Sequence, residues 1–367
     1  MLDFPSSPSN AQVYNSPNGT SWIWDGAKWT SAAFTGVTID THYRNRIING
    51  DMSVDQRNGG SVVPAPSGVT YIIDRWKLAS SYATSHGSNI GQSTGPVTAG
   101  FTNALIWIST ATAYTPAAGD NLYWLHYVEG CNFNDANWGT ANALPIVLEF
   151  WAAVNVAGTY AGSFRNAATN RSYVFTFALV ANTWTKVRIN IPGDTTGTWA
   201  VANNAAALIL SFNLGSGSTS AAAAGAWTAG NFYTAPGATN IVTTANGNIT
   251  FTGVALMVGA AAANAEPEFR KYSDNLIDCQ RYFFKPTIAT SAGGYGGGAA
   301  NVNVYPTRNF PVVMRAAPTT SGAAFGGFNY NAPSSALATT GVQWAATNTA
   351  IGSFTLVVSG DTYDADF

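Results

Sequence analysis

The run Ser172-Tyr-Val-Phe-Thr-Phe-Ala-Leu179, followed shortly by Thr185-Lys-Val-Arg-Ile-Asn-Ile191, decides the fold class. Tyr173, Phe175, Phe177 and Leu179 recur at every second position, and so do Val187, Ile189 and Ile191. Lys186, Arg188 and Asn190 take the alternate positions. A period of two places successive side chains on opposite faces, so both runs read as β-strands with one buried face. Working outward, Leu208, Leu210, Phe212 and Leu214 repeat the pattern, as do Ile249 and Phe251, while Ile146–Trp151 is apolar on both faces like a central strand. Turns rich in Gly, Asn and Thr separate these runs, which argues for an all-β sandwich or jelly roll and against βαβ units. Helical spacing occurs at Tyr272–Phe284, where Ser273 is the expected N-cap and Asp274 follows in the first turn.

Composition narrows the function classes. Of 367 residues only 9% are charged, against about 25% in an ordinary globular protein. Sixteen Lys and Arg against eighteen Asp and Glu give a net charge of −2, which excludes a polycationic nucleic-acid binder. Aromatic residues at 13% exclude a chain kept unfolded by charge. The charge is also unevenly placed: no Asp, Glu, Lys or Arg lies between Asp194 and Glu266, from Leu78 to Gly119, or from Ala316 to Gly360. A free monomer so poor in charge risks precipitation. Either its surface is covered in an assembly, or Ser, Thr and Asn keep it polar. No apolar run reaches the roughly 20 residues of a membrane span, and the first ten residues lack the features of a secretory signal. Cys131 and Cys279 are expected to be buried free thiols, with one disulfide between them as the alternative.

Three regions are expected. Residues 1–42 read as a small β meander carrying Trp22, Trp24 and Trp29, with turns at Asn18-Gly19 and Asp25-Gly26. So few strands make little core, so the three rings are expected to form a docking surface. Residues 43–286 form the sandwich. Residues 287–367 form a small C-terminal β domain, with a loop at Gly293–Gly298 and short strands that include Phe310–Arg315.

Several strings, taken in order, resemble the jelly-roll, carbohydrate-binding-like region of bacteriophage tail fibres and related virion surface proteins. They are Arg46-Ile-Ile-Asn-Gly-Asp-Met52, Asp55-Gln-Arg57, Tyr71-Ile-Ile-Asp-Arg-Trp76, Ile146–Trp151, Phe251-Thr-Gly-Val-Ala-Leu256, Glu268-Phe-Arg270 and Cys279-Gln-Arg-Tyr-Phe283. The opening, from Phe4 to Trp29, is similar to a short N-terminal module of phage fibres, and the end, from Phe310 to Asp366, to the tips that follow such jelly rolls. One departure is Ala255-Leu-Met257, where the family usually carries Gln-Leu-Glu. The resemblance implies a structural virion protein, a homotrimer made in a bacterial cytoplasm and assembled on the particle exterior. The N-terminal module would attach it to other tail or capsid proteins. Host surface polysaccharide would be bound by many copies at once. A head fibre or capsid decoration protein, and a glycan-hydrolysing tailspike, are the alternatives.

Catalytic motifs are sparse. His42, His86 and His126 sit in no zinc spacing, and Gly215-Ser-Gly-Ser-Thr219 is only a broken form of the Gly-x-Ser-x-Gly nucleophile elbow. The Gly293–Gly298 run lacks the Lys-Ser/Thr of a phosphate loop. Glycoside hydrolysis needs paired carboxylates, for which Asp120, Glu129, Asp135 and Glu149 are available; each also has a structural use, Glu149 pairing with an Arg such as Arg165 or Arg171. The chain is therefore read as a non-enzyme with no metal or cofactor. Glycan contacts are expected from Trp138, Asn132, Asn134 and Asp135 in one Asn-rich loop and from Trp199 in another, aromatic faces stacking on sugar rings and amides reading hydroxyls. Asp74-Arg75-Trp76 is expected to be a core feature, with Trp76 buried and Arg75 paired to a carboxylate.

Overall fold

The computed structural model describes residues 4–10, 12–15, 21–24, 26–31, 43–82, 88–109, 112–199, 203–259, 267–287, 290–296, 303–305, 307–328, 334–347 and 352–367. Among these the architecture is all-β, as the alternation predicts, with a β-sandwich at its centre. One sheet runs in the order Trp227–Ala229, Arg171–Leu179, Gly158–Asn166, Ala206–Ser216, Asn121–Glu129, Trp76–Ser80 and Gly68–Ile73. The facing sheet runs Thr185–Ile191, Ile146–Val154, Asn248–Val258, Asn103–Ile108, Asn89–Thr94 and Val63–Pro64. Neighbouring strands in both are antiparallel. Ile146–Val154 is an interior strand with partners on both sides, apolar at every position except Glu149.

Aromatic rings close the space between the sheets. Phe212 stacks on Phe251 with centroids 4.4 Å apart, and Phe150 meets Phe177 and Phe212 edge-to-face at 5.0 Å. Trp76, Trp107 and Trp124 are fully buried in the same core. The outer face of the first sheet is covered as well. Tyr123, Leu125 and Ile209 form a second apolar layer there, with Tyr233 stacked on Tyr123 at 4.1 Å. Strand Asn121–Glu129 therefore buries both faces.

The strings that carry the resemblance converge in space. Asn49 adopts φ 57, its carbonyl accepts from the Trp76 indole at 2.9 Å, and its amide donates to the Val54 and Asp74 carbonyls. Gln56 donates from its backbone and its side chain to the Asp74 carboxylate, and reaches the Phe283 carbonyl. Gly50 accepts from the Val254 amide at such close approach that a Cβ would lie 2.0 Å from the Val254 oxygen. The five strings that begin at Arg46, Asp55, Tyr71, Phe251 and Cys279 are one hydrogen-bonded knot that joins the start of the sandwich to strand Asn248–Val258 and, through Asn275, to the helix.

That helix, Tyr272–Gln280, is the α-helix among the described residues, and Ser273 does not cap it. The N-cap is Lys271, with no side-chain cap bond; Ser273 lies one turn position inside, its hydroxyl on Asp274. A separate apolar cluster of Phe310, Met314, Val342, Trp344, Val358 and Tyr363 forms the C-terminal region. Phe283–Phe284 already pairs with Thr362–Asp364, so this second core takes in residues ahead of position 287. Two local expectations fail here. Thr290–Gly296 is a strand, paired along its length with Gly352–Ser359, where a loop was expected. Phe310–Arg315 is not a strand: its amides bond singly to Thr340, Thr339 and Arg281 carbonyls while Phe310 and Met314 fill the core.

The N-terminal meander consists of Val13–Asn15, Ser21–Trp24 and Trp29–Ser31. Phe4 stacks on Trp29 at 5.2 Å, Trp24 lies 5.7 Å from Trp29, and all three Trp rings are half-buried. The turn residues Asn18, Gly19 and Asp25, and the boundary at 42, lie outside the described residues; Gly26 has φ 98.

Candidate functional site

The two loops expected to bind sugar meet. Trp138 and Trp199 pack edge-to-face with centroids 4.7 Å apart, and Trp227 contacts both at 5.0 and 5.5 Å. Phe133 closes the group at 4.8 Å from Trp138. Trp138 is 4% exposed and Trp199 7%. A stacking platform needs an exposed ring face, and the burial of both rings in this cluster leaves neither Trp138 nor Trp199 one to offer. Trp227, which sequence reasoning passed over, is the third member.

Hydrogen bonds fix this cluster. Trp138 donates its indole N–H to the Leu144 carbonyl at 2.7 Å. Arg171 grips Asp194 through Nε at 2.8 Å and Nη2 at 2.7 Å, and the Thr196 amide and hydroxyl donate to the same carboxylate. Burial alone raises the Asp194 carboxyl, but the Arg171 and Thr196 hydrogen bonds outweigh it and hold the group below its ordinary range. The carboxylate is a fixed anchor for the loop.

The polar members of the Asn-rich loop lie elsewhere. Asn134 and Asp135 are exposed and Asn132 is half-buried. Asn132 lines a groove of about 260 Å³ between the end of strand Asn121–Glu129, the segment at 45–48 and the helix. Arg46 forms one wall: it donates to the Asn132 carbonyl at 3.1 Å and to the Asp135 carboxylate at 2.5 Å. Arg281 holds the buried Glu129 at 3.2 Å, and Arg270 is paired with Asp278. Sequence reasoning missed Arg46, Glu129 and Arg281 as groove residues, because they come together only when strands far apart in the chain pack.

Cys131 also lines this groove and is exposed, contrary to expectation; its thiol faces Glu129 at 3.4 Å. Burial of the sulfur and the nearby Glu129 charge push the thiol above its usual range, so it is a poor nucleophile. Cys279 is buried, and neither cysteine is in a disulfide.

The carboxylates considered for hydrolysis are each engaged. Glu149 pairs with Lys186 at 3.1 Å and Arg188 at 2.9 Å on the neighbouring strand, not with Arg165 or Arg171. Register decides this: Glu149 lies opposite Arg188. Asp120 accepts from the Tyr114 hydroxyl at 2.5 Å and the Ala117 amide at 2.8 Å, the turn role expected of it. Glu129 and Asp135 serve the groove's ion pairs. Among the described residues no group of three or more His, Cys, Asp or Glu could hold a metal ion.

No protein-family model matches the chain, and no curated protein matches it significantly. Solved structures give partial overlaps. One is a putative sugar binding protein from Bacteroides thetaiotaomicron, 12% identical, covering 59% of this chain and 100% of that one with a TM-score of 0.33. A second is the enzymatically active domain of tailspike protein 4 of bacteriophage CBA120, 12% identical, with a TM-score of 0.31. That overlap covers 58% of this chain, and this chain spans 21% of the tailspike chain. A third is the family 11 carbohydrate-binding module of a Clostridium thermocellum cellulosomal cellulase, 11% identical, covering 53% and 96% with a TM-score of 0.26. Likeness at this level says nothing of what this chain binds.

Proposed function

We propose that the chain is a structural bacteriophage virion protein, a non-enzymatic adhesin of the tail-fibre or spike type that acts as a homotrimer. The observation that carries this reading is the groove beside Asn132. Its hydrogen-bonding walls are immobilised by the Arg46–Asp135, Arg281–Glu129 and Arg270–Asp278 pairs, and a saccharide is recognised by such pre-positioned donors and acceptors. Carboxylates committed to guanidinium partners suit binding better than proton transfer to a leaving group. The scarcity of charge supports a surface built into a particle. The half-buried Trp22, Trp24 and Trp29 of the N-terminal module supply an apolar docking face for another virion protein. Weak contacts from each groove would add over three chains and over several fibres.

The test has three parts. Antibody labelling of intact phage places the protein on the tail or on the head; a head position favours the decoration reading. Cross-linking reads the oligomer. Titration with host surface polysaccharide, for the wild type and for Asn132→Ala and Arg270→Ala, reads the groove. Loss of binding in both variants with unchanged melting is expected. Release of reducing ends from the polysaccharide, or a monomer with no affinity for any phage component, overturns the reading.

A further inference from the structure

The hairpin at the edge of the first sheet, Gly68–Ile73 with Trp76–Ser80, gathers cations that the sandwich does not neutralise by itself. Arg75 and Lys77 are buried, and the neighbouring Arg57 side chain is only 12% exposed. Cations so withdrawn from water need carboxylates. The acids next to them in sequence are engaged elsewhere: Asp55 accepts from the Asn58 and Gly60 amides, and Asp74 from the Gln56 backbone and side chain. Among the described residues, every ion pair of Arg57 and Arg75 goes instead to one short segment, residues 364–367.

Each of these four residues is held. Asp364 accepts from Arg57 at 3.1 Å, across 307 residues of chain. Ala365 is buried, and its amide donates to the Tyr282 carbonyl at 2.7 Å. Asp366 accepts from Arg57 on one oxygen at 2.6 Å and from Arg75 on the other. The Phe367 amide donates to the Tyr71 hydroxyl at 3.3 Å, and its oxygen accepts from the Lys77 ammonium. Its ring lies 5.1 Å from the Tyr127 ring. Aromatic faces hold the cations in place: Arg57 lies 3.9 Å over Phe283 and 4.5 Å over Tyr71, and Lys77 4.5 Å over Tyr71. The arrangement is that of a peptide in a receptor groove, with charge matched to charge and a ring as the anchor.

We propose that the sandwich carries a binding site for an acidic, aromatic-ended peptide, that residues 364–367 are its ligand, and that seating them is the step that closes the fold. Without the segment, two guanidiniums and an ammonium stay in a desolvated place with no paired carboxylate. Removing one partner of a buried pair has the same result and is strongly destabilising. The edge hairpin is therefore incomplete until an acidic segment arrives from 291 residues further along the chain. Nothing in these contacts requires the segment to be linked to the sandwich. Linkage supplies a local concentration on the order of millimolar, and a free peptide at higher concentration can take the same place. The features it must carry are two carboxylates one residue apart and a ring directly after the second. The site stands whether or not the Asn132 groove binds glycan.

The experiment uses the full chain carrying Asp364→Asn and Asp366→Asn, whose own segment keeps its length and its ring but has lost its charge. Melting is followed with N-acetyl-Asp-Ala-Asp-Phe and with the control N-acetyl-Asn-Ala-Asn-Phe. The double variant should melt about 5 °C or more below the unchanged protein. The acidic peptide should restore part of this loss saturably. The control should bind at least about tenfold more weakly, for want of charge-assisted hydrogen bonds. Neither peptide should shift the melting of the unchanged protein, whose own segment fills the site. Should the double variant stay unfolded alone, its refolding yield with each peptide reads the same point. Three results overturn the proposal. They are a double variant that melts like the unchanged protein, an acidic peptide that neither stabilises nor refolds it better than the control does, and equal stabilisation of the unchanged protein by the acidic peptide.

Discussion

Arg75 and Asp366 form an ion pair across 291 residues of chain, and each side chain is 1% exposed. Arg75 sits in the turn between Gly68–Ile73 and Trp76–Ser80 with φ 70, an uncommon conformation for a residue with a side chain. Its guanidinium also lies 3.5 Å above the Tyr282 ring and donates to the Tyr127 carbonyl. Arg57 holds the other oxygen of Asp366 at 2.6 Å, and Arg315 donates to the Ala365 and Asp366 carbonyls. One short tail thus ties the C-terminal region to the sandwich through Arg57 and Arg75, while Arg315 fixes the tail to the rest of the C-terminal region.

Asp366→Ala leaves two guanidiniums without their buried carboxylate. Stability should fall by about 3–5 kcal/mol, the usual result of removing one partner from a buried pair. Replacing Arg75 and Asp366 together by Leu should cost less than the sum of the two single changes. Denaturant titration of the four proteins checks this, and additive losses would exclude the coupling.

Asp74 gives a pH dependence. Burial raises its carboxyl to about 7 although Arg57 and the Gln56 hydrogen bonds oppose the shift. A carboxyl raised above its unfolded value binds its proton more tightly when folded. The resulting stabilisation is complete below about pH 4 and is lost as pH rises through about 7, with a slope of at most about 1.4 kcal/mol per pH unit. Asp74→Asn should remove this part of the slope. Unfolding curves between pH 4.5 and 7.5, compared for the two proteins, read it directly.

Trp138→Ala should cost about 3–5 kcal/mol, as deletion of a buried large aromatic does. The Trp199 and Trp227 rings would lose their common contact, and the loop at 130–142 its anchor. Thermal melts and saccharide titrations separate the cases: an exposed sugar platform would lose binding with little change in melting.

Gly50→Ala should lose about 2 kcal/mol or more, because the added carbon meets a backbone oxygen that cannot move without breaking the Val254–Gly50 hydrogen bond. Gly119→Ala is the control, since nothing lies within 4 Å of its Cβ position. Soluble yield and melting temperature of the two variants should diverge sharply.

Deletion of residues 1–42 should leave the melting of the remainder unchanged, since the sandwich core draws on no described residue of that segment. Copy number on purified phage should fall to background. Normal incorporation of the truncated chain would show that attachment lies elsewhere.

Period-two alternation is a local property, so the strands at 172–179, 185–191 and 208–214, and with them the all-β class, were readable from the chain alone. A strand's pairing is not local. The Gly-rich run at 290–296 has almost no side-chain pattern, yet it pairs because Gly352–Ser359 lies beside it. Phe310–Arg315 has the pattern but meets only scattered carbonyls. The buried fate of Trp138, the partners of Glu149 and the groove formed by Arg46, Glu129 and Arg281 depend on segments up to hundreds of residues apart. A ring face or a carboxylate is free or taken according to what packs against it, and only the assembled sheets decide that.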